Sequence, residues 1–391
     1  GTTNLDAVDI DGNLDVDGGT IKLDGSYPTG TDNTALGDTA LDSVQAGGVS
    51  NTVIGHNAGT AITTGDGNTA VGDLALDANS TSSDNTAIGR CALTTSTASN
   101  NTAVGAYSLR DNTTGSNNIA VGISALKENT EGEDNTAIGN GALCNNETAD
   151  NNTAVGRCAL FTNTTGASNV AFGYKSSNSN TTGLANTSVG TNSLEDNTTG
   201  TLNVAIGQES LRRNTTASNN VGVGYLSLCT NTTGTCNVGV GVSALAANTT
   251  ASKNTGLGSC ALAKNTTGEE NSAIGFLASA CNTTGNTNVS LGVQTLRKNT
   301  TGSGNTGLGT LALNENTTAS NNTSVGLCSL KANTTASNNV AVGACVLLNN
   351  TTGANNTAIG HCALSTNTTG TPNVAVGNSS LEANTTAGNN V

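Results

Sequence analysis

The sequence predicts an all-β protein, a parallel β-solenoid (β-roll) built from 17-residue turns. Three observations lead to this prediction. From Asn33 onward an asparagine recurs every 17 residues, at Asn152 and Asn203 for example, and a glycine follows four residues later. Each unit is rich in Thr, Asn, Gly and β-branched residues, which disfavour helix. A unit of 17 residues is also too short for helical repeats, which need about 33 residues or more.

The repeat covers the chain from residue 33 to its end. Residues 33–389 contain 21 complete units, and Asn390 and Val391 begin a twenty-second. The first unit is one residue longer than the rest, and the fourth is one residue shorter. Positions in a unit are numbered here from the anchor asparagine, which is position 0. The last complete turn follows the consensus without a capping change, so we expect further turns and a tip domain beyond it.

Residues 1–32 form a separate N-terminal segment. Six aspartates there alternate with aliphatic residues, which predicts strands with one acidic and one apolar face. Asp9, Asp11 and Asn13 loosely follow a calcium loop, but the expected glycine is displaced and no glutamate closes it. We therefore favour a solvated acidic strand face over a metal site.

Within a unit, positions 1–3 and 5–8 are the predicted strands, and the glycine at position 4 separates them. This glycine, such as Gly156 or Gly207, is expected to have a positive φ or to let a neighbouring backbone approach. Position 3 is large and aliphatic, whereas position 2 is mostly alanine. Position 8 is usually leucine, as at Leu160 and Leu211, and position 7 is mostly Ala or Ser. These two positions therefore repeat the pairing of a large residue with a small one. Neighbours on a strand point to opposite faces, so we expect one face to fill the interior and the other to meet a partner.

The predicted partner is a second and third copy of the chain. The apolar area that one turn can bury is small compared with the entropy lost by ordering 17 residues. Three rods packed side by side would bury the small-residue face as well. The sequence therefore predicts a homotrimer, with a monomer as the alternative.

Position 11 is asparagine in 18 of 21 units, Asn163 and Asn214 among them, and 17 of these begin an N-glycosylation sequon. Glycans on successive turns would be only ~4.8 Å apart, and Asn129 keeps the asparagine although Glu131 breaks its sequon. We favour ladders of stacked amides at positions 11 and 0. A third interpretation, an ice-matching array of Asn at 11 and Thr at 13, is less favoured because positions 14–16 vary.

Six of the ten cysteines occupy position 6, and Cys328, Cys345 and Cys362 lie on consecutive turns. Either position 6 tolerates a small side chain, or these three form a disulfide or thiol ladder, and the sequence leaves both open. No cysteine pair has the CxxC spacing of zinc or thioredoxin-like sites. The sequence therefore predicts neither a metal nor another cofactor.

The remaining chemistry-bearing residues do not predict an enzyme. The two histidines, His56 and His361, lie in units far apart along the rod, and Gly222–Gly224 is part of the repeat rather than a phosphate loop. The net charge of −14 excludes a nucleic-acid reader that binds by neutralising phosphates. No run approaches 18 apolar residues, so membrane insertion is not predicted.

The string NTAIGHCALSTNTTG at 356–370 resembles repeats of predicted tail-fibre proteins from marine phages and large viruses. The opening NLDAVDIDGNLDVDG resembles stretches of marine cyanophage structural proteins. More distantly, the unit is similar to the head repeats of trimeric autotransporter adhesins, a trimeric parallel β-roll. Only Asn at position 0, the aliphatic residue at 3 and Gly at 4 match that motif, and the unit here is longer.

These resemblances imply a homotrimeric fibre, located in a virion tail or on another extracellular surface. The expected function is a structural shaft that holds a host-recognition tip away from a particle. Its partners would be other copies of the chain, other fibre or virion proteins, and a host receptor reached through the tip. The alternatives are a bacterial adhesin filament and, less favoured, an ice-binding rod.

Overall fold

The computed structural model describes residues 32–391, which form one parallel β-solenoid. The acidic strands and the calcium-loop alternative considered for the N-terminal segment lie in residues 1–31, outside the described residues. Each turn of the solenoid contributes one short strand. The 21 strands are β1 (Thr34–Leu36), β2 (Thr52–Ile54), β3 (Thr69–Val71), β4 (Thr86–Ile88), β5 (Thr102–Val104), β6 (Ile119–Val121), β7 (Thr136–Ile138), β8 (Thr153–Val155), β9 (Val170–Phe172), β10 (Thr187–Val189), β11 (Val204–Ile206), β12 (Val221–Val223), β13 (Val238–Val240), β14 (Thr255–Leu257), β15 (Ser272–Ile274), β16 (Val289–Leu291), β17 (Thr306–Leu308), β18 (Thr323–Val325), β19 (Val340–Val342), β20 (Thr357–Ile359) and β21 (Val374–Val376).

The strands form one parallel sheet in which each pairs with its neighbours in sequence. Strand β11, for example, pairs with β10 and β12, and Ala205 lies between Ser188 and Gly222. The same register holds across both irregular units, where Thr34 pairs with Thr52 and Thr86 with Thr102. Stacked turns at ~4.8 Å each give a rod of about 100 Å. The predicted 17-residue solenoid is therefore confirmed.

The predicted strand at positions 5–8 is wrong, because this segment is a series of turns. Positions 6 and 8 have left-handed backbone, with φ of 55° at Cys158 and 49° at Leu160. The amide of Cys158 donates to the preceding turn, to Asn140 O (3.0 Å), whereas that of Leu160 donates to the following turn, to Ser176 O (3.0 Å). Left-handed backbone at every second position thus allows hydrogen bonds to both neighbouring turns without an extended strand.

The glycines at position 4 have the unusual backbone conformation that the sequence predicts. Gly156 and Gly207 have φ of 136° and 124°, a region that side chains rarely adopt. A Cβ built on Gly207 would lie 2.6 Å from the carbonyl oxygen of Gly224 in the next turn. Both expected reasons for glycine, a positive φ and a close backbone approach, therefore apply at this position.

The assignment of the two strand faces differs from the expected one. The small residue at position 2 faces the interior and is fully buried, as at Ala154 and Ala205, while the large residue at position 3 faces outward. The interior is too thin for the reverse arrangement. A Cβ on Gly222, at position 2, would already lie 3.2 Å from the side chain of Leu211. The buried leucine at position 8 fills the core, so only a small residue fits opposite it.

Candidate functional site

The anchor asparagines form a continuous ladder of hydrogen bonds inside the rod. Asn203 is buried, and its backbone amide donates to Asn186 Oδ1 in the preceding turn (3.0 Å). Its side-chain Nδ2 donates to the same oxygen (3.1 Å) and to the carbonyl of Ala217 at position 14 (2.9 Å). Asn152 makes the equivalent backbone bond to Asn135 (2.9 Å), although its own Nδ2 is unpartnered.

A second ladder runs through position 11. Asn163 Nδ2 donates to Asn146 Oδ1 in the preceding turn and to Gly166 O, both at 2.9 Å. Asn214 repeats this with Asn197 Oδ1 and Ala217 O, again at 2.9 Å. The predicted asparagine ladders are therefore confirmed.

In most turns the two ladders meet at one carbonyl, a connection that sequence reasoning missed. Ala217 O accepts from Asn203 of the first ladder and from Asn214 of the second. The small residue at position 14 was the available signal. A Cβ on Gly200, the same position one turn earlier, would lie 2.4 Å from Asn197 Oδ1. The amides at positions 0 and 11 and the carbonyl at position 14 thus connect the interior by hydrogen bonds within and between turns.

A third row, at position 12, was also missed. Thr181 Oγ1 donates to Thr198 O in the next turn (3.0 Å), and Thr198 Oγ1 donates to Thr215 O (3.0 Å). This use of the hydroxyl explains why the second residue of Asn-Thr-Thr recurs. Thr182, at position 13, is exposed and its hydroxyl has no hydrogen-bond partner within residues 32–391.

Burial of position 11 bears on the two other interpretations of Asn-Thr-Thr. The sequon asparagines Asn79, Asn112 and Asn146 are fully buried, while Asn384 in the last turn is partly buried and still donates to Asn367 Oδ1 (2.9 Å). A glycan would have to replace ladder hydrogen bonds. The two-residue surface grid of Asn at 11 and Thr at 13 does not form, because only the threonine reaches the surface.

The outer sheet face carries an apolar row along the whole rod. Position 3 is aliphatic in every turn except at Phe172, and 14 of the 21 side chains are 36–67% exposed. None of the 42 residues at positions 1 and 3 (21 turns × 2) is charged, although the chain holds 40 charged residues (13 + 27). The row is therefore an uncharged stripe on an acidic rod.

Charged side chains lie on the other surfaces and pair between turns. Arg212 Nε lies 3.0 Å from Glu195 Oε2, one turn away, and its Nη1 lies 3.3 Å from Glu209 Oε2. The hydrogen bond to Glu195 is the main reason that the pKa of the Arg212 guanidinium is raised. Lys253 and Glu270 form a similar pair at 3.0 Å. Such exposed pairs contribute little to stability.

The cysteines at position 6 stack as the repeat implies. Cys328, Cys345 and Cys362 are free and partly exposed, and they share a left-handed backbone with φ of 55°, 57° and 55°. Partial desolvation is the main cause that raises the pKa of the Cys362 thiol, and the nearby Cys345 and Glu382 raise it further. The other cysteines at position 6, Cys91, Cys158 and Cys260, have no cysteine at that position in an adjacent turn.

The two histidines are not brought together. His56 Nδ1 lies 3.0 Å from Asp73 Oδ1 in the next turn, and His361 Nε2 lies 3.7 Å from Cys362 Sγ. The histidines are 18 turns apart, roughly 86 Å. Among residues 32–391, no three His, Cys, Asp or Glu side chains are grouped to hold a metal ion.

Comparison with known proteins leaves the family open. No protein-family model and no curated protein matches the chain. Within the part of the chain that the structure describes, no helix is both long enough and apolar enough to cross a membrane. The fold and its surfaces are therefore the basis for assigning a function.

Proposed function

We propose that the chain is a structural shaft of an extracellular fibre, of the kind found in viral tail fibres, and that it acts by geometry rather than by catalysis. The observation that carries this proposal is the unbroken stack of 21 turns in one register. Ladders at positions 0, 11 and 12 connect successive turns, so bending the rod would strain several rows of hydrogen bonds at once. A stiff rod of about 100 Å suits a spacer.

Self-association into a homotrimer is part of the proposal, and the outer sheet face is its contact surface. The transfer free energy of an aliphatic side chain corresponds to ~60–120 Å² of apolar surface removed from water on full burial. With about two-fifths of the side chain exposed at 14 turns and a smaller fraction at the other seven, the row at position 3 leaves on the order of 400–900 Å² to cover. Stable interfaces bury about 800 Å² per partner. A second copy has the same spacing between turns, so its aliphatic rows can interdigitate along the whole rod.

A matched pair of lysine substitutions tests this contact surface. Ile274→Lys places a charge on the uncharged stripe, and Thr284→Lys places the same charge on an exposed side of the same turn. We expect three chains by light scattering for the unsubstituted protein and for Thr284→Lys, and a shift toward monomer for Ile274→Lys. A monomeric unsubstituted protein at micromolar concentration would refute self-association. Equal masses for the two variants would refute the assignment to this face.

The fibre assignment is tested by localisation in the natural source. An antibody raised against the assembled rod, labelled with gold, should decorate thin filaments that project from virus particles. Decoration of bacterial surface filaments would instead favour the adhesin alternative. Label confined to soluble, unattached protein would overturn the proposal of a shaft.

A further inference from the structure

The three stacked cysteines form a nucleophilic row that the proposed shaft does not use. Cys345 N donates to Leu327 O (2.9 Å), the carbonyl just before Cys328, and Cys362 N donates to Ala344 O (3.0 Å), just before Cys345. Successive cysteines are therefore joined by hydrogen bonds between turns next to their own Cα atoms. Their Cα atoms are separated by about one turn, ~4.8 Å, which lies within the 4.4–6.8 Å span of disulfides.

We propose that Cys328, Cys345 and Cys362 form a reversible redox site in which Cys345 closes a disulfide with one of the two cysteines stacked on it. One chain forms one such bond, because Cys345 belongs to both adjacent pairs and the outer two are two turns apart. At roughly 9.6 Å, the outer pair exceeds the disulfide span. The site lies within a single chain and does not depend on the proposed shaft.

The geometry also favours reversibility. The three residues share one backbone conformation, so their Cα–Cβ bonds are nearly parallel and the Cβ atoms begin about one turn apart. Disulfides hold Cβ atoms at about 3.5–4.5 Å, so closing the bond requires the turns to approach. A bond formed against such resistance is more easily reduced than a relaxed one.

The chemistry balances with a small disulfide such as oxidised glutathione as the oxidant. A cysteine thiolate of the row attacks one glutathione sulfur, forms a mixed disulfide and releases one glutathione thiolate. The neighbouring thiolate then attacks the protein sulfur and releases the second glutathione. Two electrons pass from the cysteine pair to glutathione, and the two thiol protons leave with the released glutathione molecules.

The test is oxidation of the folded, fully reduced chain with oxidised glutathione, followed by alkylation under denaturing conditions and peptide mapping. We expect one intramolecular bond, mapped between Cys345 and Cys328 or Cys362, which removes two of the ten free thiols beyond those lost to mixed disulfides with glutathione. Cys345→Ser should abolish the intramolecular bond and leave only mixed disulfides. Cys328→Ser and Cys362→Ser should each retain it, through the remaining neighbour.

Cys260→Ser is the matched control, because Cys260 also lies at position 6 but has Ser243 and Leu277 at that position in the adjacent turns. Serine occurs naturally there, so these variants preserve the fold. The control should form the bond as the unsubstituted chain does. Bond formation in Cys345→Ser between Cys328 and Cys362, bonds only between chains, or no thiol loss would overturn the proposal.

Discussion

Each turn uses asparagine where both a donor and an acceptor must lie on one buried side chain. A stacked amide receives a hydrogen bond from the turn that follows and donates one to the turn before, as Asn214 does between Asn231 and Asn197. Aspartate lacks the donor, and serine is shorter. The one-residue-short fourth unit keeps the row with Ser96, whose hydroxyl accepts from Asn112 at 3.1 Å. The ladder therefore tolerates a substitute that still offers an acceptor.

Removing one amide from the ladder should be costly. Asn214→Ala leaves Asn197 Oδ1 buried without the donor that Asn214 supplies at 2.9 Å. Leaving a buried acceptor unsatisfied costs about 1–3 kcal/mol, so we expect a lower denaturation midpoint by circular dichroism. Thr216→Ala, at an exposed hydroxyl in the same turn, is the control and should change the midpoint little. Equal effects of the two substitutions would argue against an energetic role for the ladder.

The glycine row gives a second prediction at this scale, because φ strain can be separated from contact between turns. Gly207→Ala should destabilise the rod, since its φ alone costs about 1–3 kcal/mol for a residue with a side chain, and its Cβ meets Gly224 O at 2.6 Å. Gly377 has a similar φ of 131°, but its Cβ would find no atom closer than 3.9 Å. Gly377→Ala should therefore lower the thermal midpoint less than Gly207→Ala. The opposite order would show that the stacked glycine backbones do not exclude a side chain.

The strand is too short to position itself by its own pattern of large and small residues. Three residues contribute one inward side chain and two outward ones, and the leucine at position 8 decides which is which. Because Leu211 fills the interior beside position 2, the small residue lies inside and the larger Ile206 lies outside. The apolar outer face is a consequence of this thin core.

Truncation of the two large residues tests this assignment of faces. Leu211→Ala removes a fully buried side chain and should destabilise the rod by about 2–5 kcal/mol. Ile206→Ala removes a side chain that is 40% exposed in the single chain, so its cost should be smaller. The comparison is made by urea denaturation of monomer, with dissociation secured by Ile274→Lys in both variants. A larger loss for Ile206→Ala would mean that position 3 packs inside.

The whole rod is a one-dimensional stack in which each turn contacts only its neighbours. Residues at positions 0, 1, 4, 6, 8, 11 and 12 each form hydrogen bonds to an adjacent turn. Stability in such a molecule is close to a sum of turn and interface contributions. A local defect should therefore remain local.

Hydrogen exchange can measure how far a defect spreads. In Gly207→Ala, we expect faster exchange at amides that join the substituted turn to its neighbours, such as Val204 N, which donates to Asn220 O of the next turn at 2.8 Å. Thr102 N and Val340 N make the same 2.8 Å bond several turns away and should keep their protection. Uniform loss of protection along the rod would contradict nearest-neighbour stability and indicate one cooperative unit.

The sequence by itself determined the period, the parallel stacking, the glycine backbone and the asparagine ladders, because each depends on identical residues meeting one turn apart. Tertiary structure decided what the repeat cannot encode separately: which strand face is inside, the turns at positions 5–8, and the carbonyl of Ala217 that joins two ladders. These features depend on how one part of a turn packs across the interior against another. Periodicity fixes contacts along the axis, whereas the width of the core fixes contacts across it.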